Sequence, residues 1–534
     1  IHELIQKRQL LEAFASIKLM EDETISEWDA EKYSDNPQEF VRKSKDVDLL
    51  YNSITSAIQS IVERTLEDPS LEVSMLTSMV ALIAREEAAH PSTASAAHPG
   101  SDLLGRPRKW REQWREAIKE SARKRVLKAP MASREEETSW LDLHLHFLQE
   151  HLREDLLKIK LSVKKCYPEE YQVCDTYVEA FHNAIASHLQ ELSQRPLNFH
   201  ELYTLLDWVA NTYHSELFLG HPDLKPEVKT ENLSWLLTPA DWDKLKNDYI
   251  ASAKGKIKSY FGNILRLEVT EKWEKEVHSE ETESLYHASL SFDIQTIIGE
   301  HMKLTGAISR SLETKMLELC MAELLEFIPR FEQEFMAWST AQDSPSFVPY
   351  LVAYINSFHD LVSGLETVFK ANTEELQKIL AALTRNFTNI FLTKLRTKAQ
   401  PLLKKILTKS WILTTERPDS LASAVSQFSE HLQHMREPLG QQELLQEVHK
   451  YVVKEYITQV IKPRWKMNRE TRQKVSKKMS LEATIIHNTL RDQGSDADWL
   501  LPAIGHIANI IGEKKKDKLK AYVKELCQDY PDIR

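Results

Sequence analysis

The sequence predicts an all-α protein, and three observations carry that reading. Only 12 of its 534 residues are glycine, against about 7% in an average protein, which leaves little material for the tight turns and bulges of sheets. Apolar residues recur every three or four positions along much of the chain, the period of a helix with one buried face. No comparable stretch alternates with period two, as a half-buried strand would.

The helices can be justified in order. Asn36-Pro37 opens the first clear one, with proline in its first turn. In "RPRKWREQWREAIKESARKRV" (106–126), Trp110, Trp114, Ile118, Ala122 and Val126 form one ridge at spacing four. Arg111, Arg115, Lys119 and Arg123 form a second ridge, and Glu112, Glu116 and Glu120 a third. The interleaved acids screen the bases, so a surface helix that buries its Trp ridge and pairs Glu with Arg is favoured over a basic docking face. "LNFHELYTLLDWVANTY" pairs Asn198 with Glu201 as a cap before Leu202, Leu205, Leu206, Val209 and Tyr213. In "LLTPADWDKLKNDYIASAKGKIKSYFGNILRLE", Thr238 caps the helix, Pro239 starts it and Asp241 follows three residues after the cap. Trp242, Leu245, Tyr249, Ala253, Ile257, Tyr260 and Ile264 are its expected buried stripe.

A chain this long exceeds one core, and about 100–200 residues per unit gives three to five packed units. The breaks are "AAHPSTASAAHPGSDLLGRP" (88–107), expected to be a mobile loop, and shorter polar stretches at 133–139, 220–226, 341–347, 416–420 and 492–498. They suggest an N-terminal helical segment over 1–135, middle bundles over 136–340 and C-terminal bundles over 341–534. No fixed repeat period occurs, which argues against a regular solenoid and leaves irregular bundles joined end to end.

Enzyme signatures are missing where they would have to be: no GxxxxGK[ST] and no GxSxG. "HELYT" starts like a zinc-protease motif, but Thr204 stands where the second histidine must be. In "HLHFLQEH", His144 and His146 leave a helix on different sides, and His144 and His151 share a face too far apart to chelate one ion alone. These are expected to be ordinary polar-face histidines, and Cys166 and Cys174 buried thiols. No catalytic residue, cofactor or metal site is therefore expected. Four scattered cysteines make no disulfide framework and fit a reducing cytosol. The uncharged run "WLLPAIGHIANIIG" (499–512) is too short to span a bilayer and suits a buried core helix. The chain begins at Ile1, so upstream residues, including any anchor or targeting segment, are expected to lie outside it.

The concentrated positive charge is the best route to function. "KPRWKMNRETRQKVSKK" (462–478) packs eight bases and one acid into seventeen positions of a chain with net charge −11. Pro463 should end one helix near Ile461, and Asn468 should cap the next. Val475, Met479, Ala483, Ile486 and Leu490 would be the core stripe of that next helix, which leaves Arg469, Arg472, Lys474, Lys477 and Lys478 mostly toward solvent. Lys462, Arg464 and Lys466 precede them, and Lys514, Lys515, Lys516, Lys518 and Lys520 follow in the same unit. A solvated face is the plain reading of such a run. The sharper one is a docking face for an acidic protein or an anionic lipid. Nucleic acid fits poorly, because only Trp465 interrupts the basic run and the acidic remainder would repel phosphates.

Several segments together resemble the Sec-six-type exocyst subunit family. They are "LYTLLDWVANTYHSELFLGHPDL" (202–224), "LLTPADWDKLKNDYIASAKGKIKSYFGNIL" (236–265), "FVPYLVAYINSFHDL" (347–361), "YVVKEYITQVIKPRW" (451–465) and the closing "LKAYVKELCQDYPDIR" (519–534). They occur in family order from about residue 140 onward. Within the family the chain is most similar to the branch induced by tumour necrosis factor alpha, rather than to the core exocyst subunit. The resemblance implies an elongated rod of consecutive helical bundles, as in subunits of multisubunit vesicle-tethering complexes, and no enzymatic activity. It implies a cytoplasmic protein, peripheral at the plasma membrane, that tethers vesicles or promotes thin membrane protrusions (tunnelling nanotubes). The implied partners are other exocyst subunits, a GTP-loaded Ral-type small GTPase, SNARE proteins, and phosphoinositide-containing plasma membrane, the last mainly through the upstream residues. The family supplies no catalytic residues. The assignment of Lys462, Arg464, Lys466, Arg469, Arg472, Lys474, Lys477, Lys478, Lys514, Lys515 and Lys516 to partner binding rests on charge together with that implied partner. A peripheral membrane protein that binds phosphoinositide directly through these bases, and a core exocyst tether, stay open as alternatives. A metal hydrolase is the contrasting class.

Overall fold

The computed structural model of the protein describes residues 1–67, 69–90, 100–131, 139–277, 280–282, 285–341, 343–414, 420–436, 440–462 and 466–532. Among these, nineteen α-helices carry the architecture, and the one sheet is a two-stranded antiparallel hairpin of β1 (Glu280–Thr282) and β2 (Leu285–His287). The all-α expectation holds. The chain forms two compact units, residues 1–253 with 305–312, and residues 254–304 with 313–534.

The first eight helices lie in the first unit: α1 (His2–Gln6), α2 (Leu10–Asp29), α3 (Pro37–Thr65), α4 (Pro69–Ala89), α5 (Trp110–Leu127), α6 (Trp140–Lys158), α7 (Val173–Ser193) and α8 (Phe199–Asp207). The Trp ridge of α5 is buried throughout. Its indole N–H groups still find acceptors: Trp110 donates to Thr55 Oγ1 at 3.0 Å and Trp114 to the Tyr167 hydroxyl at 3.1 Å. The rim pairs as the sequence suggests, Lys119 with Glu116 and Arg123 with Glu120. Arg111 bonds Glu87 and Glu170 and lies over the Tyr171 ring. At the start of α8, Asn198 and Glu201 form the full capping box. Glu201 also accepts from Trp140 Nε1 at 2.7 Å, so the cap ties α8 to α6. Trp208, of the Trp-Val pair, is buried and donates to Gln149 Oε1 at 3.0 Å.

Three expectations change in this unit. His144 does not sit on a polar face: it is 1% exposed, between a 3.0 Å contact to Pro130 O and a 2.7 Å contact to His188 Nε2. It falls one turn before Leu148 and two before Leu152, on the α6 core stripe. Of the 88–107 stretch, 91–99 lies outside the described residues, and the rest is not a free loop. Gly105 N–H donates to Glu21 at 2.8 Å, Arg106 bonds Asp48 at 2.9 Å, and Leu104 is buried. Cys166 is buried as expected, whereas Cys174 is only partly so.

Helix α9 (Pro239–Leu267) starts where Thr238 Oγ1 accepts from Asp241 N at 3.1 Å. Its stripe follows the sequence reading except at Trp242, which is half-buried, and at Tyr260, which is 40% exposed, while neighbouring Phe261 is 1% exposed. Phe261 stands four residues after Ile257 and keeps the helical spacing. Residues 239–253 of α9 belong to the first unit and the rest to the second, which contains α10 (Leu290–Ile308), α11 (Arg310–Ala341), α12 (Phe347–Thr367), α13 (Glu374–Leu403), α14 (Lys409–Leu413) and α15 (Ser420–Ser429), although the last turn of α10 and the first of α11 belong to the first unit. Its aromatic core centres on Trp273, packed by Phe331, Phe335, Trp338 and Tyr354. Asn356, of the Ile-Asn pair on α12, is fully buried and fully bonded: it donates to Tyr286 O at 2.8 Å and His434 O at 2.9 Å, and accepts from Arg436 N at 2.9 Å. A buried amide is tolerated only when satisfied in this way.

Candidate functional site

The C-terminal bases sit on α17 (Arg469–Asp492), on α19 (Lys516–Asp529) and on the segments that follow α16 (Gln441–Ile461) and α18 (Leu501–Gly512). Asn468 caps α17 by accepting from Thr471 N at 2.8 Å. Val475, Met479, Ala483, Ile486 and Leu490 are all buried, which fixes the rotation of the helix about its axis. Lys462, Lys466, Arg469, Lys474, Lys477, Lys514, Lys515 and Lys516 are exposed, and Arg464 lies outside the described residues.

The structure brings the two sequence clusters together. Arg472 Nε donates to Ile511 O at 2.8 Å, a cation satisfying a carbonyl in the last turn of α18. One residue on, Gly512 comes so close to α17 that an added Cβ would lie 2.7 Å from Ser476 Oγ. The chain then leads directly into Lys514, Lys515 and Lys516, which start three residues past the Ile511 carbonyl that Arg472 holds. Glu513 accepts from the backbone N–H groups of Lys514 (2.8 Å) and Lys515 (3.0 Å), and these bonds hold its carboxyl below the usual range. Glu470 is held by Lys474 at 2.8 Å. Leu481, one turn beyond Lys477, is 51% exposed and gives the basic face an apolar edge.

Two of the expected solvent-facing bases do other work. Arg472 is partly buried by the α18 contact just described. Lys478, on the opposite flank of α17, donates to Trp411 O and to Thr414 O (3.3 Å) and lies 4.6 Å from the centre of the Trp411 ring. Trp411 Nε1 in turn donates to the buried Glu482 at 3.1 Å, and Tyr456 OH donates to the other oxygen of that carboxyl. Burial outweighs these donors and pushes the Glu482 carboxyl above its ordinary value. Lys478 and Glu482 thus clasp α14 onto α17. The sequence could not show this, because the partners lie 67 and 71 residues away.

The 499–512 run differs from the expected buried core helix. Only Ala503, Ile504 and Ala508 of α18 are buried, while Leu501 is 42% and the preceding Trp499 56% exposed. Among the described residues, no three His, Cys, Asp or Glu side chains are placed to share a metal ion, and no helix is long and apolar enough to cross a membrane.

Comparison with known proteins settles the family. The model of the family "Exocyst complex component Sec6" matches residues 44–534, nearly the whole chain. This protein belongs to the Sec6 family of exocyst components. The Sec6-family chain is similar to tumor necrosis factor alpha-induced protein 2 of Homo sapiens, 26% identical over 93% of this chain and 75% of that protein. It is also similar to exocyst complex component 3-like protein of Danio rerio, 23% identical over 99% of this chain and 72% of that one. The crystal structure of M-Sec shares its fold, with a TM-score of 0.65 at 24% identity over 99% of this chain and 91% of the other. As a member of this family of tethering scaffolds, the Sec6-family chain is not an enzyme.

Proposed function

We propose that this chain is an exocyst-like tethering scaffold, peripheral at the cytoplasmic side of the plasma membrane, that assembles with exocyst subunits and serves as an effector of a GTP-loaded Ral-type GTPase in vesicle tethering or membrane protrusion. One observation carries the reading: the 469–477 and 514–516 bases, far apart in sequence, converge where Arg472 meets the end of α18. Their face is held on rigid helices, as a docking site requires. Its acids are few, Glu470 and Glu513 among them are engaged, and Leu481 offers apolar contact at its edge. A merely solvated face needs none of this.

The test is a pull-down with Ral in both nucleotide states. The quadruple variant Arg469→Glu, Lys477→Glu, Lys515→Glu and Lys516→Glu spares the structural Arg472 and Lys478. It should fold normally, since exposed charges contribute well under about 1 kcal/mol each, yet lose the GTP-loaded partner through like-charge repulsion. Arg115→Glu is the control. Wild-type binding by the folded quadruple variant would refute the reading. Phosphoinositide vesicles that bind the wild type and not the variant, with no Ral binding by either, would establish direct lipid recognition in its place.

A further inference from the structure

The longest basic stretch of the chain is defined by what it lacks. From Leu376 to Thr415 there is no Asp or Glu, while Lys378, Arg385, Lys394, Arg396, Lys398, Lys404, Lys405 and Lys409 all carry positive charge. Forty acid-free residues stand out in a chain with 80 acids among 534. Most of the stretch is α13, whose core edge (Leu383, Phe387, Phe391, Leu395, Ala399) is buried.

On another face of α13, a groove of about 550 Å³ opens against the end of α11. Its lining is mainly neutral and hydrogen-bonding: Ser339 and Thr340 on α11, and Asn389, Thr393 and Thr397 on α13, with Met336 and Ile390 as apolar patches. The four hydroxyls each donate back to a carbonyl of their own helix, so they offer lone pairs to the N–H groups of a peptide backbone, and the Asn389 amide can both donate and accept. Lys394 and Lys398 line the same groove. Lys404 and Lys405 follow directly on Leu403, the last residue of α13, and so stand at the C-terminal exit of that helix. Both are exposed. The groove contains one acid, Asp343, 3.9 Å from Lys398 Nζ, and Glu332 bonds Asn386 at the far end. The floor is therefore polar and neutral, and the exit toward the C-terminus of α13 is basic.

We propose that the α11–α13 groove is a docking site for an extended acidic segment of a partner protein, separate from the α17–α18 face. The segment's backbone lies along the hydroxyls and amides, and its carboxylates meet Lys394, Lys398, Lys404 and Lys405. Charge complementarity sets its direction, with the acids toward the end of α13.

The probe is a short labelled peptide of alternating glutamate and serine, followed by fluorescence anisotropy against the full chain, beside a glutamine-serine peptide of equal length. Thr393→Trp fills the groove without changing charge, and Lys404→Glu with Lys405→Glu reverses its exit without touching its walls. Each should weaken the glutamate peptide by about tenfold or more, while the glutamine peptide binds poorly throughout and the α17–α18 quadruple variant keeps the affinity. The proposal falls if the wild type does not bind the glutamate peptide. It also falls if Thr393→Trp binds as the wild type does, or if only the α17–α18 variant loses binding. Vesicles of phosphatidylserine that bind in a Lys404- and Lys405-dependent way, with Thr393→Trp unaffected, would assign the face to membrane and overturn it too.

Discussion

Replacing His188 by glutamine should make the first unit less sensitive to acid. His144 Nδ1 lies 3.0 Å from Pro130 O and so must carry the proton and donate; its Nε2 is then the acceptor for His188 Nε2–H at 2.7 Å. His188 Nδ1 is left unprotonated, buried and without a partner among the described residues. Burial, the neighbouring His144 and the charge of Arg195 lower the His188 pKa from 6.5 to about 4. The unfolded chain therefore binds this proton first. The stabilisation is complete above pH 6.5 and is lost as pH falls from 6.5 toward 4. At pH 5 the loss is about 1.5 pH units at 1.36 kcal/mol each, roughly 2 kcal/mol. Glutamine can still donate to His144 but does not titrate. Urea unfolding of wild type and His188→Gln at pH 7.5 and pH 5.0 reads the effect. The stability difference between them should move by about 2 kcal/mol in favour of the variant at the lower pH. A difference that stays constant, or moves the other way, would refute the assigned tautomers and the depressed pKa. His449 in the second unit, also lowered to about 4 by burial and His487, should repeat the behaviour in His449→Gln.

Other substitutions test the packing. Lys478→Glu should cost about 1.5–3 kcal/mol, because it breaks charged hydrogen bonds and sets a carboxylate beside Glu482, whereas Lys477→Glu should leave the thermal midpoint unchanged. Asn356→Leu strands an N–H and two carbonyls and should cost about 3 kcal/mol by chemical denaturation. Arg125 grips the buried Asp155 through two bonds of 2.7 and 2.6 Å; Arg125→Met alone should cost about 3–5 kcal/mol, and adding Asp155→Leu should recover much of it.

Much of the fold was legible because its signals are local. Asn468, the stripe from Val475 to Leu490 and the Asn198–Glu201 box each need only a few neighbouring residues, and each appears in the structure as read. Tyr260 and Phe261 show the limit: two adjacent aromatics fit the period, and packing alone chooses between them. His144 reads as a surface residue by chemical type, whereas its spacing to Leu148 and Leu152 marks it as core. The site was legible as charge but not as geometry. Arg472 and Lys478 differ from Lys477 only through Ile511 and Trp411, partners distant in sequence. The α13 stretch does not stand out by its number of bases, and its character lies in the absence of acids between Leu376 and Thr415.

Hydrogen exchange with and without GTP-loaded Ral tests the central claim most directly. If the converged basic face is the docking site, the partner should slow exchange in 466–480 and 511–520 together, and GDP-loaded Ral should do so in neither. Binding that protects one segment without the other, or protects neither, would contradict the account.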